Sequence, residues 1–164
     1  MLFRYFIFLS LGFLVPLAAL ADSASGHLSI DLSDSSKYVM AGSYDDYDLY
    51  FLKPSIRSDN KQATGTKGLS VFIIKDYRDK FIQYTIQDID GSIKKYEIFY
   101  NKAISDTSIN CFSKEFTDHH TAYLRDEKII YEKSFSGHYW NKTPLGKPYR
   151  KAIDLACSFG SQYL

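Results

Sequence analysis

Two cysteines, Cys111 and Cys157, are the only thiols in this chain of 164 residues, and they constrain its fold more than any other feature. They follow an N-terminal segment, Met1 to Ala21, that predicts export into an oxidising compartment, where an even number of cysteines favours a disulfide. Two thiols bonded to each other can act neither as nucleophiles nor as metal ligands. We therefore predict that Cys111 and Cys157 form a disulfide whose role is structural.

The N-terminal segment has the three parts of a signal peptide. Arg4 gives it a positive start, residues 5–17 are almost entirely apolar, and Ala19-Leu20-Ala21 is a small-x-small cleavage motif. The apolar run is shorter than the roughly 20 residues that span a bilayer. We predict cleavage after residue 21. Since Asp22 stands where a lipoprotein carries cysteine, we expect a periplasmic or secreted protein that is not a lipoprotein, with cell-surface association as a further location.

The rest of the chain suits one domain. Residues 22–36 are dominated by Ser and Asp and offer little apolar surface, so they predict a flexible N-terminal arm. Residues 37–164 predict a single domain with its own core. The chain has 20 basic and 19 acidic residues, interleaved along the sequence. Because phosphate binding needs a concentrated basic surface, we expect no nucleic-acid partner.

The pattern beyond residue 37 predicts antiparallel strands. Seven runs are rich in β-branched and aromatic residues with partial alternation. An Asp90-Gly91 pair between two of these runs suits a tight hairpin turn, and a second turn is expected at Arg125-Asp126-Glu127. The predicted strands are 47–56, 69–77, 81–87, 92–100, 107–116, 120–125 and 128–135.

The C-terminal segment changes to a helical period. Pro148 suits a first helical turn, and an amphipathic helix packed on the sheet would bring the second cysteine towards the first. The chain-entropy relation gives such a cross-link about 4 kcal/mol of stabilisation. The sequence therefore predicts an α+β fold, in which a C-terminal amphipathic helix covers an antiparallel sheet. The residues that share the apolar helical face are Tyr149, Ala152, Ile153, Ala156 and Cys157.

A series of landmarks occurs along the chain in this order: YFLKPSIR at 50–57, VFIIKDY at 71–77, Lys102 to Cys111, then Trp140, Pro144 and Cys157. Together they resemble the surface-adhesin protein E family of small exported bacterial proteins, over roughly residues 47–157. The sequence differs from the family in having Phe72 where tryptophan is common and a longer stretch at 81–100. The resemblance implies a curved antiparallel sheet of about six strands under a C-terminal helix, and it also implies homodimerisation.

The function that the resemblance implies is binding. The founding member of the family binds host extracellular-matrix and serum proteins, so we expect an adhesin-like protein with a protein partner and no cofactor. The alternative is a periplasmic or envelope-associated structural or interaction protein with an endogenous bacterial partner. We expect no enzyme and no catalytic residues, because no serine lies in a Gly-x-Ser-x-Gly motif. The His119-His120 pair predicts no metal site, since neighbouring strand residues point to opposite faces unless a bulge intervenes.

Four aromatic residues, Tyr44, Tyr47, Tyr50 and Trp140, are the candidate binding surface. The three tyrosines lie among acidic side chains, and tyrosine supplies a large contact area at low entropic cost. The alternative is a polar loop that enters a strand whose rings cover the core. Trp140 either closes the end of the sheet beneath the helix or stacks on a ligand.

Overall fold

The computed structural model describes most of the chain from Ile30 onward. The predicted signal peptide, 1–21, and the Asp90-Gly91 pair lie outside the described residues, so both stay predictions. The described ranges are 30–59, 68–78, 80–87, 95–135, 139–143, 145 and 147–164.

Within these ranges the chain forms ten strands, one α-helix and two short 3₁₀ turns. No helix in this part of the chain is long and apolar enough to cross a membrane. The helix, α1, spans Pro148–Phe159, and the 3₁₀ turns span Lys53–Ser55 and Ser161–Tyr163. The strands are β1 (Tyr38–Ser43), β2 (Asp48–Leu52), β3 (Arg57–Asp59), β4 (Gly68–Asp76), β5 (Ile82–Gln87), β6 (Lys95–Tyr100), β7 (Lys102–Asn110), β8 (Glu115–Arg125), β9 (Lys128–Ser134) and β10 (Asn141–Lys142).

Eight of these strands form one antiparallel sheet. Its order is β1-β2-β4-β7-β8, with β3 paired to β4 and with β9 and β10 paired to different parts of β8. Strands β5 and β6 form a separate antiparallel hairpin. The predicted antiparallel α+β architecture is confirmed, but the strand count exceeds six. Strands β3 and β10 are only three and two residues long, too short to produce a sequence period.

The central strand β4 is buried on both faces of the sheet. Leu69, Val71 and Ile73 pack in a cluster with the helix, on what we call the helix face. Phe72 and Ile74 point to the opposite face and pack with residues from the N-terminal part of the domain. A strand covered on both sides must be apolar at consecutive positions, which explains its almost unbroken hydrophobic sequence.

The opposite face is covered by the segment that precedes β1. Ile30 is buried there and Leu32 packs beside it. The carboxylates of Asp31 and Asp34 accept hydrogen bonds from the backbone N–H groups two residues later, at 3.0 Å in each case, a geometry that lets aspartate replace a backbone partner in a turn. Ile30 and Leu32 are therefore packed against the sheet, inside the stretch 22–36 that the sequence assigns to a flexible arm.

The predicted strand 107–116 is divided by a turn. Strand β7 ends at Asn110, and β8 begins at Glu115. The side-chain oxygen of Asn110 accepts hydrogen bonds from the N–H groups of Phe112 and Ser113, both at 3.0 Å. Lys114 has a φ of 60°, in the left-handed region. The hydrogen bonds to the Asn110 side chain let the chain reverse direction without Gly or Pro. The sequence analysis therefore predicted one continuous strand here.

The C-terminal helix carries the predicted apolar face. Ala152, Ile153, Ala156 and Cys157 are its buried residues, and they pack against the cluster that contains Leu69 and its neighbours on the helix face. Cys157 is bonded to Cys111, with 5.7 Å between their Cα atoms, which confirms the predicted disulfide. The bond ties the last turn of α1 to the turn between β7 and β8.

Candidate functional site

The end of the molecule that contains the disulfide carries an exposed phenylalanine. Phe112 follows Cys111 at the apex of the β7–β8 turn, and its side chain is 92% exposed. The two capping bonds from Asn110 and the disulfide fix the backbone on both sides of it. A large apolar side chain is thus held in solvent on a rigid turn.

A second segment brings another apolar side chain to this end. Strand β10 pairs with the start of β8, and the hydroxyl of Thr143 donates a hydrogen bond of 2.8 Å to the carbonyl oxygen of Lys114. Leu145, two residues after Thr143, is 82% exposed. Because the two segments run antiparallel, Leu145 extends in the same direction as Phe112, two residues before Lys114. Tyr139, also 82% exposed, precedes Asn141, the partner of Phe116, and extends the opposite way.

Charged side chains of both signs lie beside this turn. Lys114 Nζ lies 3.0 Å from Asp154 of α1, and Arg150 Nε lies 3.2 Å from the same carboxylate. Burial alone would raise the pKa of Asp154, but the hydrogen bonds from Lys114 and Arg150 outweigh it and hold the pKa below its usual range. We call the surface formed by Phe112 and Leu145, with these charged side chains beside it, the disulfide-end surface.

The four aromatic residues chosen from the sequence do not form one surface. Tyr44 and Tyr47 contact each other on the helix face, with ring centroids 5.5 Å apart. Tyr50 packs on the opposite face, because side chains alternate along β2. Trp140 is half-buried beside the exposed Tyr139. Tyr44 and Tyr47 therefore help to cover the core, while Trp140 lies in the segment that leads into β10.

A continuous set of tyrosine rings lies between the sheet and the β5–β6 hairpin. Tyr77, Tyr100 and Tyr123 contact one another in sequence, with centroids 5.5 and 4.9 Å apart, and Tyr84 of the hairpin stacks on Tyr123 at 5.4 Å. Burial raises the pKa of both Tyr100 and Tyr123. These rings supply apolar area and edge-to-face contacts, so the cluster serves to dock the hairpin.

A lysine and an aspartate lie on the helix face, in the region between α1 and this tyrosine cluster. The ammonium group of Lys75 is 5.0 Å from the ring centroid of Tyr149 and 5.8 Å from that of Tyr47. Asp118 accepts a hydrogen bond of 2.6 Å from the hydroxyl of Thr107. Burial lowers the pKa of Lys75 and raises that of Asp118. The sequence analysis did not predict a role for these two residues. Lys75 nevertheless continues the alternation by which every second residue of β4 points to the helix face.

The two histidines serve different networks. The register shifts between Asp106 and Thr107, so that β8 gains an extra residue at His119. His119 Nε2 lies 2.6 Å from the hydroxyl of Ser108, while His120 contacts Ser134 and Glu132 at 3.0 and 3.2 Å. The described part of the chain contains no group of three or more His, Cys, Asp or Glu side chains arranged to hold a metal ion.

Ser108 also contacts a carboxylate, but the order of the groups differs from that of a catalytic triad. Its hydroxyl donates to Asp59, so the 2.6 Å contact requires His119 Nε2 to donate to the same oxygen. In a triad the histidine accepts the serine proton and the carboxylate orients the histidine. Ser108 is also only 2% exposed. The arrangement is a buried hydrogen-bond relay that joins β3, β7 and β8.

Comparison of the chain with protein-family profiles, with curated protein sequences and with solved structures gives no match. The resemblance to the surface-adhesin protein E family therefore stays a prediction from the landmarks in the sequence.

Proposed function

We propose that this chain is an exported adhesin-like binding protein whose partner is another protein. The disulfide indicates an oxidising, exported compartment. The predicted signal peptide supports release of the chain in soluble form. The family resemblance supports a host extracellular-matrix or serum protein as the partner, and an endogenous component of the bacterial envelope is the second candidate, supported by Asp22 at the position of a lipid-accepting cysteine.

The disulfide-end surface is the observation that carries the proposal. Phe112 and Leu145 expose 92% and 82% of their area, and an aromatic side chain such as Phe112 anchors a protein interface when it enters a pocket on the partner. The disulfide and the Thr143–Lys114 hydrogen bond already fix the supporting backbone. Little conformational entropy remains to be lost on binding, which favours affinity.

The rim of the surface favours a protein over a nucleic acid or another strongly anionic partner. Lys114 and Arg150 share the carboxylate of Asp154, and the exposed Lys142 lies 3.9 Å from Glu115. Positive and negative groups are therefore paired beside the turn that carries Phe112. An apolar centre with a mixed polar rim is the usual anatomy of a protein–protein interface.

The proposal is tested by binding of the purified, disulfide-bonded protein to two panels. One panel contains purified extracellular-matrix and serum proteins, and the other contains bacterial envelope fractions. The variant Phe112→Ser combined with Leu145→Ser should weaken binding by about tenfold or more, the loss expected for removing interface anchors. Phe81→Ser is the matched control, because Phe81 is 52% exposed but lies beside Arg125, at the far end of β8.

Saturable binding to the matrix panel that needs Phe112 and Leu145 would establish the adhesin-like function. Binding confined to the envelope panel would favour the second candidate, and fractionation of cells into surface-labelled and osmotically released protein would agree with it. If both panels give no binding, or if the control variant loses as much affinity as the double variant, the disulfide-end surface is not the binding site.

A further inference from the structure

A cleft lies between the 3₁₀ turn that follows β2 and the C-terminal end of α1. Its lining comes from three separate segments, namely the stretch before β1, residues 53–56 and residues 159–163. The volume of the cleft is about 280 Å³, close to the lower limit for small-molecule sites in proteins. Since a cavity of about 150 Å³ holds benzene, this cleft has room for one molecule with one or two fused rings.

One wall of the cleft is apolar and is held in place by the core. Ile56 is only 7% exposed, and it packs so close to the end of α1 that a Cβ atom on Gly160 would lie 2.9 Å from it. The ring of Phe159 packs edge-on against the buried Phe51, with centroids 5.8 Å apart, yet 42% of Phe159 is exposed. The wall therefore offers a ligand an aromatic surface whose position is already fixed.

A positive charge lies beside this apolar wall. Lys53 Nζ is 5.2 Å from the ring centroid of Phe159, and the backbone of Lys53 is fixed by hydrogen bonds to Lys37 at 2.7 Å and from Ile56 at 3.2 Å. Among the residues that line the cleft, all in the described part of the chain, Lys53 is the only charged one. No carboxylate in the described ranges lies within ion-pair distance of its ammonium group. The charge is therefore available to an anionic ligand.

We propose that this cleft binds a small aromatic carboxylic acid, with its ring against Phe159 and Ile56 and its carboxylate at the ammonium group of Lys53. The charge of Lys53 selects an anion over a neutral or cationic ligand. The exposed part of the Phe159 ring favours a flat aromatic group, which gains from contact between rings beyond the area that it buries. The side-chain amide of Gln162, which also lines the cleft, adds a neutral hydrogen-bond donor for the carboxylate.

The test is titration of the purified, disulfide-bonded protein with 2-naphthoate, followed by the backbone amide shifts in nuclear magnetic resonance spectra. We expect saturable shifts at Lys53, Ile56 and Phe159, with a dissociation constant of about 1 mM or lower, as is usual for a ligand of this size. The matched ligand is 2-naphthamide, which has the same rings and nearly the same shape but no charge. It should bind about fivefold more weakly, the upper end of what an exposed ion pair contributes.

Substitution of Lys53 separates the charge from the rest of the cleft. Lys53→Gln should lower the affinity for 2-naphthoate to that for 2-naphthamide and leave the affinity for 2-naphthamide unchanged. The variant should fold normally, because the side chain of Lys53 is exposed. Lys151→Gln is the matched control, since Lys151 is also exposed but lies eight residues before Phe159, which is about 12 Å along the helix. Phe159→Leu should weaken the binding of both ligands, because leucine has no flat ring.

The absence of saturable shifts at the cleft with millimolar 2-naphthoate, in protein with a native circular dichroism spectrum, would overturn the proposal. Equal affinities of the parent protein for the two ligands would also overturn it, because the cleft would then not recognise the carboxylate. The same holds if Lys151→Gln loses as much affinity as Lys53→Gln. Raising the salt concentration should reduce the difference between the two ligands, since salt screens an exposed ion pair.

Discussion

Replacing Cys111 and Cys157 with alanine should lower the free energy of unfolding by about 4 kcal/mol while the secondary structure stays in place. The bond joins residues 46 apart in sequence, and the chain-entropy relation assigns that figure to a loop of this length. A single domain has a total stability of roughly 5–15 kcal/mol. The variant should therefore remain folded at low temperature but melt well below the parent protein.

Replacing both cysteines with serine separates the effect of losing the cross-link from the effect of the new side chains. Cys157 is 8% exposed and packs with Ile153 and Ala156. Serine at this position places a hydroxyl in an apolar cluster and should cost about 1–3 kcal/mol beyond the alanine variant. If the two double variants have equal stability, the hydroxyl reaches solvent and the packing of the helix face is looser than the structure indicates.

Urea denaturation followed by far-ultraviolet circular dichroism measures these differences. The free energy of unfolding, extrapolated to zero urea, is compared between the parent and the alanine variant under oxidising conditions. A loss below about 1 kcal/mol would refute the chain-entropy argument for this loop. Partner binding should weaken in the alanine variant even below its melting temperature, because the turn that carries Phe112 is then held by the capping bonds of Asn110 alone.

Two further predictions follow from buried positions. Gly160→Ala should destabilise the domain by about 1–3 kcal/mol in the same assay, because a Cβ atom there would lie 2.4 Å from Cδ1 of the buried Leu69 and 2.9 Å from Ile56. Asp118→Asn should raise the free energy of unfolding at pH 7. Burial raises the pKa of Asp118, so the parent protein gains stability as the pH falls through that raised pKa towards the ordinary value for Asp. The higher free energy of unfolding of the variant should therefore disappear at acidic pH. A difference that persists there would contradict the raised pKa of Asp118.

The parts of the fold that the sequence could predict are those with a local signal. The helix face was predictable because Pro148 marks the first turn and apolar residues recur at helical spacing up to Cys157. The disulfide followed from two cysteines and a predicted export signal. The turn at Asp126 and Glu127 has positive φ at both residues, and its polar sequence predicted it.

The parts that the sequence could not predict depend on contacts between distant residues. The β7–β8 turn is formed by the Asn110 side chain and by Lys114 in the left-handed region, with a sequence that otherwise suits a strand. Burial of Ile30 depends on the sheet that it covers. Tyr44, Tyr47 and Tyr50 were grouped because they are close in sequence. Alternation along β2, however, sends Tyr50 to the opposite face of the sheet from Leu49 and Phe51.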